Sequence, residues 1–385
     1  PINPVIGLRS YGDSADLVSS LGVSYIKGLQ ESGVMATAKH FPGHGNTGID
    51  SHAGLPVVDK NRAALDQVEL RPFRDAIATG VAAVMSAHVA YPSLDPGSFT
   101  PATLSPKIIS GVLREEMGYE GLVLSDSMDM GAITKQYGTE EAAIRAVQAG
   151  IDMLLVPWSL ELQTTVYQAL VQAVKTGMIS EEQMNESVAR ILSAKQRYAV
   201  LPPGDVEEVG SADHQDVANR ISEEAITLVA KKELIPLKLG PAQKILVVTP
   251  SLLPAGRGGT LLGDYIADRH PLSTEVVISI YDAATRDQSA TRALELVEQH
   301  DVVIVSTWYA GPWQEELVKK LLATGRAVIV IALGWPYDLA RFSEVNTYLT
   351  TYGILASQLQ AVARVIFGEI PARGELPVSI PGFPN

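Results

Sequence analysis

The feature that most constrains the fold is the regular alternation of short apolar runs with amphipathic stretches between residues 34 and 156. Four runs are predicted strands: Val34–His40, Val81–Val89, Gly121–Ser125 and Ile151–Val156. The intervening stretches place apolar residues at helical spacing: Asn61–Thr79, Ser105–Met117 and Glu140–Ala149. Alternation of this kind is typical of βα units, so the sequence predicts an α/β fold with a parallel sheet.

Polar side chains gather where these strands end. Lys39 and His40 close the first strand, His88 lies at the end of the second, and Asp126 follows the third. In a (β/α)8 barrel the loops after the strands build the active site, so this placement favours a barrel. Since four strands cannot close an eight-stranded barrel, we expect the C-terminal half of a TIM-type barrel, with the other half upstream of Pro1.

A break after residue 201 predicts a second domain. A helix over residues 180–198 ends at Pro202-Pro203-Gly204, and a polar stretch follows. We therefore expect a catalytic unit at 1–201, a linker at 202–213 and a second domain at 214–385. Its apolar runs suit a mostly parallel sheet covered on both faces, that is, an α/β sandwich. The predicted strands are Lys244–Thr249, Glu275–Ile280, Asp301–Ser306, Ala327–Leu333 and Thr347–Tyr352.

Charge and composition exclude several classes of function. The net charge of −13 argues against nucleic acid or an anionic membrane surface as the main partner. The absence of cysteine excludes disulfides, thiolate metal sites and a cysteine nucleophile. The apolar runs are too short for a transmembrane helix, and no signal peptide, Walker A or dinucleotide-binding motif is recognised.

One short segment carries most of the chemistry. The run Lys39-His40-Phe41-Pro42-Gly43-His44-Gly45 is followed by Asp50-Ser51-His52, which places three of the seven histidines beside a lysine and a carboxylate. Pro and Gly break the preceding strand sharply, because Pro fixes φ and Gly allows positive φ. The polar groups therefore lie at a strand end and on the loop beyond it, as catalytic residues commonly do.

The residue types alone leave more than one chemistry open. His40, His44, His52, Asp50 and Asp126 could ligate zinc in a metallohydrolase. Against this, Pro42 and Gly43 interrupt the helical face that would make His40 and His44 a good ligand pair. Asp126 could serve as the nucleophile of a retaining glycosidase, or it could cap the following helix.

The chain resembles the β-N-acetylglucosaminidases of glycoside hydrolase family 3. The histidine-rich run with Asp50-Ser51-His52 is highly specific to that branch, and Ser125–Met130 matches its nucleophile segment. The resemblance also includes Asn3–Ser10, Pro336–Asp338 and Gly374–Val378, so it covers nearly the whole chain and the second domain of the two-domain members. An acidic sugar-binding residue that the family places on an early barrel strand lies outside this sequence.

The resemblance implies a role for each residue of the site. Asp126 is expected to attack the sugar, and His52 to act as general acid and base. Asp50 is expected to orient His52. Substrate ligands are expected at Lys39, His40 and Arg9, and His88, from its position at the end of the second predicted strand, is a further candidate ligand. No metal and no organic cofactor are expected.

The implied reaction is retaining hydrolysis of terminal β-linked N-acetylglucosamine. Its substrates would be N-acetylglucosaminyl-muramic acid fragments of peptidoglycan or chitooligosaccharides, in a bacterial cytoplasmic or secreted enzyme of undefined oligomeric state. A phosphorylase stays open as an alternative, because a neutral histidine repels phosphate less than a glutamate would. A non-catalytic carbohydrate-binding protein is a further alternative. The adjacent acidic pair of substrate-assisted hexosaminidases is not seen.

Overall fold

The computed structural model describes residue 3 and residues 6–48, 54–199, 204–230, 234–252 and 260–383. Asp50 and His52 therefore lie outside the described residues. The chain divides into two compact units, Pro1–Pro203 and Gly204–Asn385. No helix in the described part of the chain is long and apolar enough to cross a membrane.

The first unit contains a parallel sheet. Its described strands are β1 (Thr37–Phe41), β2 (Ala83–Ser86), β3 (Leu122–Ser127) and β4 (Met153–Leu155), paired in that order. Each lies within or overlaps a predicted strand, so the prediction of four βα units is confirmed. Within the described residues the sheet stays open and no barrel closes.

Helices connect these strands along the chain. The α-helices of the first unit are α1 (Ala15–Glu31), α2 (Arg62–Gln67), α3 (Arg71–Ala78), α4 (Gly131–Thr134), α5 (Thr139–Ala149), α6 (Leu160–Lys175) and α7 (Glu181–Tyr198). Lys107–Glu116 is a π-helical segment, and Gly7–Arg9 and Ala102–Leu104 are short 3₁₀ turns. The single helix predicted over 61–79 is wrong, because Pro72 lies in the first turn of α3 and cannot continue a helix from α2.

Both faces of the first sheet are covered. Val84 and Val123 belong to the large core beneath one face. The alternate residues Ala83, Leu122 and Leu124 form a smaller cluster on the other face, where side chains of α7 pack against them. Asp126 follows Leu124 on β3, at the carboxyl end of the strand.

The second unit contains a mixed, mostly parallel sheet of six described strands. They are β5 (Thr227–Ala230), β6 (Ile245–Ser251), β7 (Ser273–Ser279), β8 (Val302–Thr307), β9 (Ala327–Ala332) and β10 (Thr347–Thr350), in the order β5-β10-β9-β8-β6-β7. Only β5 pairs antiparallel, with β10. The sequence did not predict β5, which is short and depends on a partner more than a hundred residues away.

Helices cover both faces of the second sheet. They are α8 (Ala212–Ala225), α9 (Leu261–Arg269), α10 (Ala283–Leu296), α11 (Pro312–Ala323) and α12 (Ala356–Ile366). Short 3₁₀ turns lie at Val206–Glu208, Val297–Gln299 and Pro336–Arg341. Val303 and Val305 face one core, while Val302 and Ile304 face the other. The near-continuous apolar runs therefore do correspond to strands buried on both sides, as predicted.

Candidate active site

The loop after β1 is held by contacts from distant parts of the first unit. The Tyr91 hydroxyl donates to the Gly43 carbonyl at 2.6 Å. The Asn3 side-chain amide donates to the His44 carbonyl and to Thr47 Oγ1, each at 2.9 Å. His44 is buried, and its Nδ1 lies 3.1 Å from Thr47 Oγ1. These bonds fix the loop that leaves the strand end, and they leave His44 as a residue of the loop's interior.

Gly43 is required by the path of this loop. Its φ is +132°, and a Cβ at this position would lie 2.8 Å from Glu69 Cβ. Its N–H donates to the His40 carbonyl at 2.7 Å, which closes a tight turn directly after β1. The Lys39–His40 and Phe41–Pro42 peptide bonds are both cis. The residue pattern of the motif thus corresponds to one defined turn.

Asp126 and His40 meet at the carboxyl edge of the sheet. Asp126 lies near the end of β3, and its side chain is 18% exposed. Its Oδ1 accepts from the backbone N–H of Ser127 at 2.8 Å. Its Oδ2 lies 3.6 Å from His40 Nε2, beyond hydrogen-bond length, so the two groups interact electrostatically. One carboxylate oxygen is therefore fixed, and the other faces the imidazole.

His40 is neutral at physiological pH. Its burial lowers its pKa from 6.5 to about 4, because an imidazolium would lose its hydration there. The positive charges of Lys39 and Arg9 and the nearby His44 add to this lowering, while Asp126 opposes it. A neutral His40 forms no ion pair with Asp126, and it can offer one N–H to another ligand.

The structure brings some of the predicted substrate ligands to this edge and not others. Lys39 is exposed on β1, and Arg9 is exposed at the end of the 3₁₀ turn, near enough to influence His40. His88 does not fit its predicted role as a substrate ligand. It is fully buried, and protein groups engage both of its ring nitrogens. Asp50 and His52 lie outside the described residues.

Several residues that shape the site carried no signal in the sequence. Tyr91 and Thr103 contact the site only through bonds to Gly43 and His88, and their types are common in loops. Met128 and Asp129, by contrast, belong to the predicted nucleophile segment Ser125–Met130; Met128 is fully buried, and Asp129 accepts from Ser127 Oγ at 2.5 Å. Proximity to His88 in the sequence is the one local hint that Tyr91 belongs to this region.

Metal-ligating side chains do not cluster in the described residues. No group of three or more His, Asp or Glu side chains there could hold an ion, and residues 49–53 lie outside that search. Of the set considered for a metallohydrolase, His40, His44 and Asp126 are described, and they do not form such a group.

A partly exposed carboxylate at the carboxyl edge of a parallel sheet, facing a neutral histidine, is typical of α/β enzymes with an acidic active site. Two family models then match the chain. The glycosyl hydrolase family 3 N terminal domain matches residues 1–194, and the glycosyl hydrolase family 3 C-terminal domain matches residues 146–383. The chain belongs to glycosyl hydrolase family 3, as the resemblance predicted.

Known proteins similar to this chain agree with that family. A family 3 beta-N-acetylglucosaminidase from Paenibacillus sp. str. FPU-7 is 38% identical with a TM-score of 0.89, over 98% of this chain and 73% of the other. Beta-hexosaminidase A of Pseudoalteromonas piscicida is 29% identical over 99% of this chain and 71% of its own length. A beta-N-acetylglucosaminidase/beta-glucosidase of Cellulomonas fimi is 26% identical over 98% and 71%, respectively.

Proposed function

We propose that this chain is a retaining β-N-acetylglucosaminidase that hydrolyses terminal β-linked N-acetylglucosamine. The observation that carries the proposal is the Asp126 carboxylate, which has one oxygen fixed by the Ser127 N–H and the other facing a neutral His40. The names of the similar proteins support the choice of sugar. The peptidoglycan and chitooligosaccharide substrates rest on the resemblance alone.

In the first step Asp126 attacks the anomeric carbon. A bond forms between a carboxylate oxygen and that carbon, and the glycosidic bond to the leaving oxygen breaks. The leaving oxygen takes a proton from His52. In the second step water attacks the same carbon and gives a proton to His52, and the ester bond to Asp126 breaks. Two inversions at one carbon retain its configuration.

The acid and base role of His52 rests on its motif. A histidine near neutrality can give a proton in the first step and take one in the second. A carboxylate from Asp50 would fix the imidazole tautomer and favour its protonated form. The two residues are separated by Ser51, so their contact requires a turn in the loop.

The sugar would be held by side chains around Asp126. Lys39 and Arg9 are exposed cations that can donate to hydroxyl groups. The neutral His40 can donate one hydrogen bond without withdrawing charge from the carboxylate. Lys39 and Arg9 both act electrostatically on His40, which faces Asp126, and donors of this kind suit a small, polar ring.

We also propose that β1–β4 are consecutive strands of a (β/α)8 barrel. Their sequential parallel order and the site at their carboxyl ends support this. In the described residues α7 packs on the face that would line the barrel, so the proposal requires α7 to leave that face. Amide hydrogen exchange tests it when the expected upstream strands are present: amides of β1 and β4 should then exchange as slowly as those of β2 and β3, and faster exchange would contradict a barrel.

The test of function is release of p-nitrophenol from the β-N-acetylglucosaminide, with the β-glucoside run beside it. The proposal predicts selective release from the first, and preference for the glucoside would overturn the sugar assignment. Asp126→Ala should lose at least about 1,000-fold in turnover. His214→Ala, which changes an exposed histidine of the second unit, is the matched control and should keep full activity.

His52→Ala separates the acid role from a binding role. The loss should be about 100- to 10,000-fold on substrates with poor leaving groups and much smaller on good ones, since a good leaving group needs no proton. Equal loss on both would refute the role. Turnover measured with and without phosphate distinguishes the alternative, because a phosphorylase would require phosphate and release a sugar 1-phosphate.

A further inference from the structure

His88 is a buried, fully engaged histidine that the proposed chemistry does not use. It follows β2 and is fully buried. Its Nδ1 lies 2.8 Å from Thr103 Oγ1, and its Nε2 lies 2.9 Å from the backbone carbonyl of Ser127. Ser127 is the residue directly after Asp126, so one imidazole connects a loop beyond β2 to the segment that carries the carboxylate.

The hydrogen bonds assign the tautomer of His88. A carbonyl oxygen can only accept, so Nε2 carries a proton and donates it to Ser127. In the neutral ring Nδ1 is then the acceptor, and the Thr103 hydroxyl, which also lies 3.1 Å from the Ala87 carbonyl, can donate to it across the shorter distance. The Ser86 hydroxyl lies 2.8 Å from Thr103 Oγ1 and can donate in turn. Burial lowers the pKa of His88, which agrees with a neutral ring at physiological pH.

The backbone around Ser127 is held by several hydrogen bonds, since the register of β3 with β4 shifts between Leu124 and Ser127. The Met128 N–H donates to the Leu155 carbonyl at 2.9 Å, and the Ser127 carbonyl accepts from the Met130 N–H at 3.2 Å as well as from His88 at the shorter distance of 2.9 Å. The Ser127 N–H donates to Asp126 Oδ1 at 2.8 Å, while its carbonyl accepts from His88. A movement of this residue would therefore move the carboxylate.

We propose that His88 is a positioning residue that holds the Asp126 carboxylate in its attacking orientation through the backbone of Ser127. Thr103 is its partner, because the Thr103 hydroxyl can donate to the Nδ1 that remains an acceptor when Nε2 donates to Ser127. His88 touches no substrate in this role. The proposal rests on Asp126 being the nucleophile.

Three variants test it by the split between kcat and KM. His88→Leu removes the donor, and kcat should fall about 10- to 100-fold, since a misplacement of about 1 Å can cost that much. KM and inhibition by free N-acetylglucosamine should change by no more than about threefold, because the sugar ligands are untouched. His88→Gln keeps an N–H that can reach the Ser127 carbonyl and should recover part of kcat. Thr103→Val, similar in shape, should lower kcat less than His88→Leu.

Tyr119→Phe is the matched control for lost stability. The Tyr119 hydroxyl is buried and donates to the carbonyls of Val81 and Leu122, at the opposite ends of β2 and β3 from Asp126. This variant should lower the melting temperature while kcat stays within about twofold of wild type. If Tyr119→Phe loses as much kcat as His88→Leu, the effect is general destabilisation and the inference is overturned.

The outcomes separate this inference from the proposed function. An active wild type with an inactive Asp126→Ala supports the function, and an unchanged kcat in His88→Leu would then overturn only the role of His88. A recovery in His88→Gln no better than in His88→Leu would also overturn it. If His88→Leu does not fold, Thr103→Val becomes the test of the positioning role, and an unchanged kcat in Thr103→Val would contradict that role. A wild-type protein without activity would contradict both the proposed function and the positioning role of His88.

Discussion

The lowered pKa of His40 predicts a loss of stability in mild acid. The folded state binds its proton near pH 4, whereas the unfolded state binds it near pH 6.5. Between these values the unfolded state holds more protons, so stability falls as the pH falls from 6.5 to 4. The difference corresponds to up to about 3 kcal/mol, since a tenfold change in proton affinity is worth about 1.4 kcal/mol.

Replacing the titrating group should remove this contribution. We expect the denaturant midpoint of His40→Gln to fall less than that of wild type between about pH 7 and about pH 4.5. Comparing the two proteins at each pH cancels the other titrating groups. His214→Gln, which removes an exposed histidine of the second unit, should follow wild type. Parallel curves for wild type and His40→Gln would contradict a lowered pKa of His40 in the folded state.

Three further substitutions test the framework of the first unit. Gly43→Ala should lower the free energy of unfolding by about 1–3 kcal/mol and reduce activity, because φ is +132° and the new Cβ would clash with Glu69. An unchanged melting temperature and unchanged activity would contradict this. Asp152→Ala should lower the free energy of unfolding by about 3–5 kcal/mol, because the buried Asp152 carboxylate pairs with Arg114 at 2.6 Å. If Asp152→Ala lost less stability than Asp152→Asn, this role of the ion pair would be contradicted. Tyr91→Phe should lower the free energy of thermal unfolding by about 1 kcal/mol, because it removes the hydrogen bond to the Gly43 carbonyl. Unchanged stability would show that this hydrogen bond contributes nothing.

The strands could be predicted because their signal is local. Apolar, β-branched runs bounded by Gly, Pro and polar residues mark both sheets, and only their ends shift by a few residues. β5 was not predicted, because its four residues become a strand only through pairing with β10. Pro72 indicates the break between α2 and α3, but the apolar residues on both sides have helical spacing, so the sequence predicted one continuous helix.

The sequence predicted where the active site lies better than it predicted which side chains contact each other there. Parallel strands end at one edge, so the sequence placed His40 and Asp126 near each other, and the structure brings them to 3.6 Å. The placement of His88 depends on Thr103 and Ser127, which come from separate segments. No local pattern distinguishes a buried histidine that anchors a backbone from an exposed one that binds a sugar.

The most direct test of the central claim is to trap the covalent intermediate on Asp126. A 5-fluoro-N-acetylglucosaminyl fluoride should form a glycosyl ester that breaks down slowly, and mass spectrometry of the digested protein should locate the added sugar. We expect the label on the peptide containing Asp126 and none on Asp126→Ala. A label on another residue, or none on an active wild type, would contradict attack by Asp126.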